Sequence, residues 1–400
     1  MTGRSTVNLL SQHVPSRFRG LIVSSGPLWR EQRATAMTIL RNLGMGKSVL
    51  AEKISQEVFV YVRELSLLRG QPSNIKTLTN MSVSNVICSV IFGRRFEFDD
   101  LFFLKTVSQF NVLVELAATG SLANFLPLLV YLPFDIFGGR RLIKTYREVQ
   151  KCNEYMVEKV RTEFDPESGD NFIFSYIREM EKKEKSGQPT YLSLDNLARC
   201  IDDLFVAGTE TTSSTILWCL LYSIHHPDKQ EKVYQEIMVH VGTERVPNLM
   251  DKQNLKYFNA FIMETQRKAS IAPIITYECM ADTTFETYTI PKGTQIASNL
   301  DSVLRDQKVW GDPENFRPER FIDGEGNLQI PEEFIPFSIG RRACLGESLA
   351  KMELFLYMSS LFQKFKFIPE DESNLPSLED TRGITTPPLP YTIRAIQRMH

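Results

Sequence analysis

The sequence predicts a mostly α-helical chain with a small β region, and three observations carry that expectation. Apolar residues recur at helical spacing among charged positions over 29–65 and 142–163, a proline-free apolar stretch runs from Leu192 to His226, and short β-like runs appear only after Pro247. Of the 400 residues 42% are apolar, enough for a sizeable core. No repeat and no convincing linker divides them, so residues 1–400 read as one domain.

Charge and cysteine usage narrow the class. With 46 basic against 48 acidic side chains the net charge is −2, which excludes a bulk electrostatic nucleic-acid binder. Six widely spaced cysteines with no C-x-x-C pair exclude a disulfide scaffold and point to a reducing compartment. Arg4, Gln12, His13, Arg17 and Arg19 interrupt the first twenty residues, leaving no signal-peptide core and no membrane anchor there. The apolar stretch Leu122 to Phe137 is broken by Pro127 and Pro133 and suits a buried or interfacial loop better than a span.

Along the chain, Arg178 to Lys185 reads as a solvated helix end. Ser193 is the expected N-cap of the long helix, Asp195 falls in its first turn, and Pro227 stops it. About 33 residues at ~1.5 Å each make a rod of about 50 Å, apolar enough to run through the centre. Its middle, Ala207-Gly208-Thr209-Glu210-Thr211-Thr212, is anomalous, because glycine costs about 1 kcal/mol against alanine and buried polar groups need partners. A kink or a ligand is expected there. Thr283 to Ile290 and Gly293 to Ser298, separated by Pro291-Lys292-Gly293, form the expected small sheet.

Three signals are decoys. Gly46-Lys47-Ser48 resembles the end of a phosphate loop, but Arg41 stands where that motif needs glycine, and a helix is expected where it needs a strand. Gly44-Met45-Gly46 lacks the third glycine of a dinucleotide turn, so no nucleotide site is expected. His225-His226, just before a proline, reads as a helix end and not as a metal site.

The strong signal is Phe337-Ser338-Ile339-Gly340-Arg341-Arg342-Ala343-Cys344-Leu345-Gly346. Its two glycines allow a loop to lie flat against a planar ligand, and Cys344 precedes a helix expected from Leu345 to about Leu361. A helix N-terminus lowers a cysteine's pKa, and Arg342 is placed to pair with an anionic group of the same ligand.

This F-x-x-G-x-R-x-C-x-G pattern resembles the haem-binding loop of the cytochrome P-450 family, the haem-thiolate monooxygenases. Five fixed positions would coincide on the order of once in a million starting points. The resemblance implies the family's fold, a haem b cofactor, and Cys344 as the axial thiolate. Phe337 and Gly346 then belong to the cofactor loop. Glu264-Thr265-Gln266-Arg267 looks like the family's E-x-x-R helix and Pro318-Glu319-Arg320-Phe321 like its P-E-R-F segment, together a buried structural charge cluster. Trp29-Arg30-Glu31-Gln32-Arg33 resembles the W-x-x-x-R helix, whose Trp29 and Arg33 would contact haem propionates, with Arg4 a further propionate partner upstream. Tyr277 stands about where microsomal members carry a histidine.

By the same resemblance, Ala207 and Gly208 leave room beside the haem face, and Glu210 with Thr211 delivers protons for cleavage of the O–O bond. Leu40 to Lys47 and Asn85 to Gly93 look like segments of the animal microsomal branch that oxidises drugs, steroids and fatty acids. The implied activity is hydroxylation or epoxidation of lipophilic substrates using O2 and electrons from NADPH. Those electrons would come through a diflavin NADPH-cytochrome reductase, with cytochrome b5 as a further donor, and Arg30, Arg341 and Lys351 are candidate docking charges. Substrate contacts are expected from Phe205, Val206, Ala207, Ile271, Ile274, Ile275, Ile384 and Thr385, and further ones from Phe110 to Glu115. The implied location is the cytoplasmic face of the endoplasmic reticulum membrane.

Microsomal members begin with an anchor and the first sheet strands, roughly a fifth of their length, which this chain is expected to lack. Unpaired strand edges and poor haem loading are the expected consequences. Two alternatives follow: a truncated form that does not catalyse, and a haem-thiolate isomerase of oxygenated lipids that needs no reductase.

Overall fold

The computed structural model describes residues 20–119, 129, 133–136, 138–162, 170–381 and 383–398. Arg4 and most of Leu122 to Phe137 lie outside the described residues. The helical spacing over 29–65 resolves into two helices, α1 (Gly26–Asn42) and α2 (Ser48–Leu67). Gly44 and Gly46 between them take φ of +98° and +83°, the left-handed region that glycine enters without a side-chain clash. The chain turns there, and Lys47 becomes the N-cap of α2, so the phosphate-loop likeness is a helix junction.

The helices α3 (Lys76–Ile91), α4 (Leu101–Thr119), α5 (Gly139–Thr162) and α6 (Phe172–Lys185) complete the first half. The long helix α7 runs from Leu194 to His225, with the Ser193 hydroxyl accepting from the Asn196 N–H at 3.2 Å as expected of the cap. It is long and apolar enough to cross a membrane by length and composition, but 67% of that apolar window is buried inside the protein. Its apolar character is therefore that of a core helix, with α3, α5, α9 (Lys256–Ala269) and α12 (Glu347–Lys364) packed around it. Between these lie α8 (Pro227–His240), α10 (Leu300–Leu304) and α11 (Gln307–Trp310).

Among the described residues the β structure is three antiparallel pairs. β1 (Ile274–Glu278) pairs with β4 (Gln295–Asn299), Ile274 opposite Asn299. β2 (Thr283–Phe285) and β3 (Tyr288–Ile290) form a hairpin through Glu286 at φ +53°, which divides the single run expected over 283–290. β5 (Phe365–Pro369) pairs with β6 (Ile393–Gln397). No further strand joins β1 and β4 among the described residues; the face of that ribbon carrying Ile274 and Thr276 is largely exposed, and the face carrying Ile275 and Tyr277 is half-buried.

The E-x-x-R cluster is built as the sequence suggests. Glu264 and Arg267 on α9 are both 0% exposed and meet in a forked pair, with Nε to Oε2 at 2.8 Å and Nη2 to Oε1 at 2.9 Å. Arg320 adds a contact to Glu264 at 3.0 Å, and Arg267 donates onward to the Leu304 and Pro313 carbonyls. The Glu264–Arg267 pair thus fastens α9 to the segments on either side of α11, Arg267 reaching both and Glu264 the later one. The histidine pair is equally structural: His225 Nε2 lies 2.8 Å from the Pro376 carbonyl oxygen, and the His226 ring stacks on Phe316.

Candidate active site

The Cys344 loop is shaped by its own backbone. The Cys344 N–H donates to the Phe337 carbonyl at 2.9 Å, closing the loop, while Ser338 at φ +60° and Gly340 at φ +78° turn the chain between them. Helix α12 starts at Glu347 and not at Leu345, with Gly346 as its N-cap, so Cys344 precedes the helix by one short turn.

Cys344 is exposed, whereas Cys88, Cys200, Cys219 and Cys279 are buried. Desolvation by the surrounding protein is the largest influence on the sulfur and raises its pKa. The N–H groups of Gly346 and Glu347 and the charge of Arg33 lower its pKa, as expected at a helix start. Desolvation and Glu347 outweigh them, however, and the pKa stands above the ordinary thiol value. The helix N-terminus alone therefore does not make a thiolate here. Coordination by a metal ion would, since a coordinating thiol is deprotonated outright.

Three of the sequence-predicted cofactor residues converge on this loop. Arg33 donates through Nη2 to the Ala343 carbonyl at 2.7 Å, next to the cysteine. The Arg342 guanidinium lies 3.9 Å from the centre of the Trp29 ring and donates to the Ser24 carbonyl at 2.6 Å. Arg33 stands 5.9 Å from the same ring. Trp29 is thus the plate on which both arginines rest, and the i,i+4 spacing of α1 places Trp29 and Arg33 on one face as expected. The Tyr277 hydroxyl lies 3.4 Å from Ser338 Oγ, bringing β1 against the same loop.

The middle of α7 departs in part from its sequence reading. A Cβ on Gly208 would lie 2.5 Å from Ile87 Cδ1, so the room this glycine makes is for α3 and not for a planar ligand. Ala207 is exposed and Thr211 half-buried in a helix otherwise dominated by buried residues, leaving this turn open on one side. The Thr211 hydroxyl donates to the Ala207 carbonyl at 2.6 Å, which holds its proton within the helix and leaves its oxygen lone pairs available. Glu210 has its pKa raised, chiefly by desolvation, with Lys76 and the Ser214 hydroxyl opposing the rise. Its carboxyl is accordingly easier to protonate than one in water.

The expected substrate contacts divide. Phe205 is 1% exposed and its ring stacks on Phe110 at 4.3 Å, so aromatic packing removes it from ligand contact. Val206, Ile271, Ile275 and Thr385 are half-buried, while Ile274 at 54% and Ile384 at 60% are exposed. Thr386 joins these segments: its hydroxyl lies 3.0 Å from the Ala269 carbonyl oxygen, its N–H donates to the Ile271 carbonyl, and its own carbonyl accepts from Trp218 Nε1.

Two features were missed in the sequence. Asp203 accepts the N–H groups of Leu21 and Ile22 at 2.5 and 2.9 Å, tying the start of the described chain to α7. Glu353 on α12 is buried against Thr212. Acids inside apolar helical runs were the available signal for both.

The family that matches this chain, over residues 2–395, is described as Cytochrome P450. The chain belongs to the cytochrome P450 family. It is 38% identical over 400 residues to cytochrome P450 2U1 of Homo sapiens, covering 99% of this chain and 73% of that protein. Cytochrome P450 2J2 of Homo sapiens is 38% identical over 403 residues, covering 99% of this chain and 78% of that protein. Cytochrome P450 2D28 of Mesocricetus auratus is 39% identical over 393 residues, covering 95% and 76%. The protein is thus a cytochrome P450 monooxygenase whose family cofactor is haem with a cysteine thiolate ligand. The residues fit that group: an exposed sulfur faced by two N–H groups, with Trp29, Arg33 and Arg342 gathered beside it.

Proposed function

We propose that this cytochrome P450 hydroxylates or epoxidises lipophilic molecules, with Cys344 as the iron ligand and NADPH-derived electrons delivered by a diflavin reductase. The observation that carries this reading is the convergence of Trp29, Arg33 and Arg342 on the loop of the one exposed cysteine among the described residues. When bound, haem supplies the activation of dioxygen. Arg33 and Arg342, and Arg4 by resemblance, hold its carboxylates, while Phe337 and Gly346 frame the sulfur. Thr211 keeps a hydroxyl oxygen at the open turn of α7, and Glu210 feeds protons to it, helped by burial that brings its pKa upward.

Ala207, Val206, Ile271, Ile275 and Thr385 supply apolar surface for the substrate, and the exposed Ile274 and Ile384 sit at its edge. Arg30 and Arg341, both exposed, and Lys351 on α12 are proposed to meet the acidic surface of the reductase or of cytochrome b5. Association with the endoplasmic reticulum membrane is proposed from the relatives and from Phe134 and Ile136, which are 94% and 69% exposed.

The test is the reduced carbon-monoxide spectrum of the purified haem-loaded protein, alongside NADPH consumption with a diflavin reductase. A strongly red-shifted Soret band that disappears in Cys344→Ser, together with NADPH-dependent oxygenated product, is expected. An unchanged spectrum in that variant, or product formed without NADPH, overturns the reading.

A further inference from the structure

Trp29 and Arg33 meet the Cys344 loop from one face of α1, whereas two residues between them, Glu31 and Gln32, are fastened elsewhere. At about 100° of turn per residue, Glu31 stands about 160° round the helix from both, on the rear face. There its carboxylate collects three donors. Oε1 accepts from Lys183 Nζ of α6 at 2.6 Å and from the Thr190 hydroxyl at 2.8 Å, and Oε2 accepts from the Tyr191 N–H at 2.6 Å. The side chains of Glu31 and Lys183 are only 17% and 21% exposed. Burial raises the Glu31 pKa, but the contacts from Lys183, Tyr191 and Thr190 outweigh it and hold the carboxyl below its ordinary value, as an anion.

Gln32, 0% exposed, completes the fastening. Its Nε2 donates to the Tyr191 carbonyl at 2.9 Å, and the same carbonyl accepts from Asn196 Nδ2 in the first turn of α7. Its Oε1 accepts from the Tyr176 hydroxyl of α6 at 2.8 Å and lies 3.5 Å from Cys200 Sγ of α7. Two neighbouring side chains thus tie α1 to α6, to the segment at 190–191 and to α7.

An exposed ion pair contributes little, but a half-buried carboxylate that gathers an ammonium, a hydroxyl and an N–H fixes the rotation of its helix as well as its place. Rotation matters here. Turning α1 by about 20° would sweep a group ~6 Å from its axis through about 2 Å. That distance breaks a hydrogen bond such as the one of 2.7 Å from Arg33 to the Ala343 carbonyl. We propose that Glu31, backed by Gln32, is a positioning residue for the haem carboxylates: by fixing the rotation of α1 it sets how firmly Arg33 holds them. Glu31 faces away from the cysteine loop, so its influence passes through Arg33. The inference rests on the reading of Arg33 as a partner of those carboxylates.

The test is the rate at which the haem-loaded full chain gives up haem to an excess of apomyoglobin. Arg33→Ala is expected to speed the loss about tenfold and Glu31→Ala about fivefold. Because one residue acts through the other, the double variant E31A/R33A is expected to lose haem about tenfold faster, where independent effects would multiply to about fiftyfold. Lys183→Met takes one donor away from the α6 side and leaves α1 unaltered. It is expected to speed the loss about twofold to threefold on its own and not at all in the R33A chain, which decides the matter should E31A fail to load haem. Effects that multiply, or a rate that neither E31A nor K183M alters, overturn the proposal while the reading of Arg33 stands. An R33A chain that keeps haem as long as the unsubstituted protein overturns that reading and the proposal together.

Discussion

The hydroxyl of Thr212 donates to Glu353 Oε2 at 3.2 Å, while the other carboxyl oxygen of Glu353, Oε1, is buried with no hydrogen-bond partner. This contact joins α7, one residue beyond Thr211, to α12, the helix that follows the cysteine loop. A carboxyl half-satisfied in a dry site favours its neutral form, and burial pushes the Glu353 pKa from 4.5 to about 8.

That shift sets a pH dependence of stability. A folded-state pKa raised above the unfolded value means that the native protein binds more protons between pH 4.5 and about 8, so stability present below pH 4.5 is lost as pH rises through that window. A shift of about three and a half units corresponds to about 5 kcal/mol. Glu57, buried beside Arg95 and Ser82, is raised to about 7, chiefly by desolvation, and acts in the same sense. Glu353→Gln is expected to flatten the fall in the denaturation midpoint between pH 5 and 9. A slope equal to that of the unsubstituted protein would contradict the assignment.

Gly208 is expected to tolerate no side chain at its present spacing, because its Cβ would lie 2.5 Å from Ile87 Cδ1. Gly208→Ala should destabilise by about 1–3 kcal/mol through overpacking, and Ile87→Ala in the same chain should recover part of that loss. Additive destabilisation in a double-mutant cycle would show that the two do not touch.

Arg267→Ala is expected to cost about 3–5 kcal/mol, since it removes the forked partner of Glu264 in a site where both are 0% exposed and leaves the carboxylate only Arg320. Arg267→Lys should not rescue it, because an ammonium cannot reproduce the forked contact. The denaturant midpoint of the haem-loaded protein measures both, and a shift under about 1 kcal/mol in the alanine variant would count against the cluster as a structural fastener.

Arg342→Ala is expected to speed haem loss about tenfold, the worth of one charge-assisted hydrogen bond, while leaving the secondary structure intact. Transfer of haem to an excess of apomyoglobin measures that rate. An unaltered rate would remove Arg342 from the cofactor site.

Thr211→Val keeps the shape of the open α7 turn but deletes the hydroxyl that donates to the Ala207 carbonyl. NADPH consumption should persist while the fraction converted to oxygenated product falls and hydrogen peroxide rises. The ratio of product formed to NADPH consumed is the measurement, and an unchanged ratio would take Thr211 out of proton delivery.

The long helix was legible because it depends on local chemistry: Ser193 caps it, no proline interrupts it, and Pro227 ends it. The cysteine loop was legible because a glycine-rich turn leading to a helix needs particular residues at fixed spacing. The two-helix division at Gly44 and Gly46 was not, since the turn interrupts an apolar periodicity that runs through both segments. Nor was the burial of Phe205, which depends on Phe110 arriving from a different helix.

What the sequence by itself determined is the long proline-free helix, a cysteine loop leading into a helix, and which charges can form the α9 cluster, because each follows from contacts within a few residues. Only the tertiary structure decided that Gly208 yields to Ile87, that Trp29 supports both arginines, and that Glu353 keeps an oxygen unpaired. Those outcomes turn on residues far apart in the chain meeting in a dry interior, where the fit of one side chain against another, and the cost of an unsatisfied polar atom, appear only once the helices have packed.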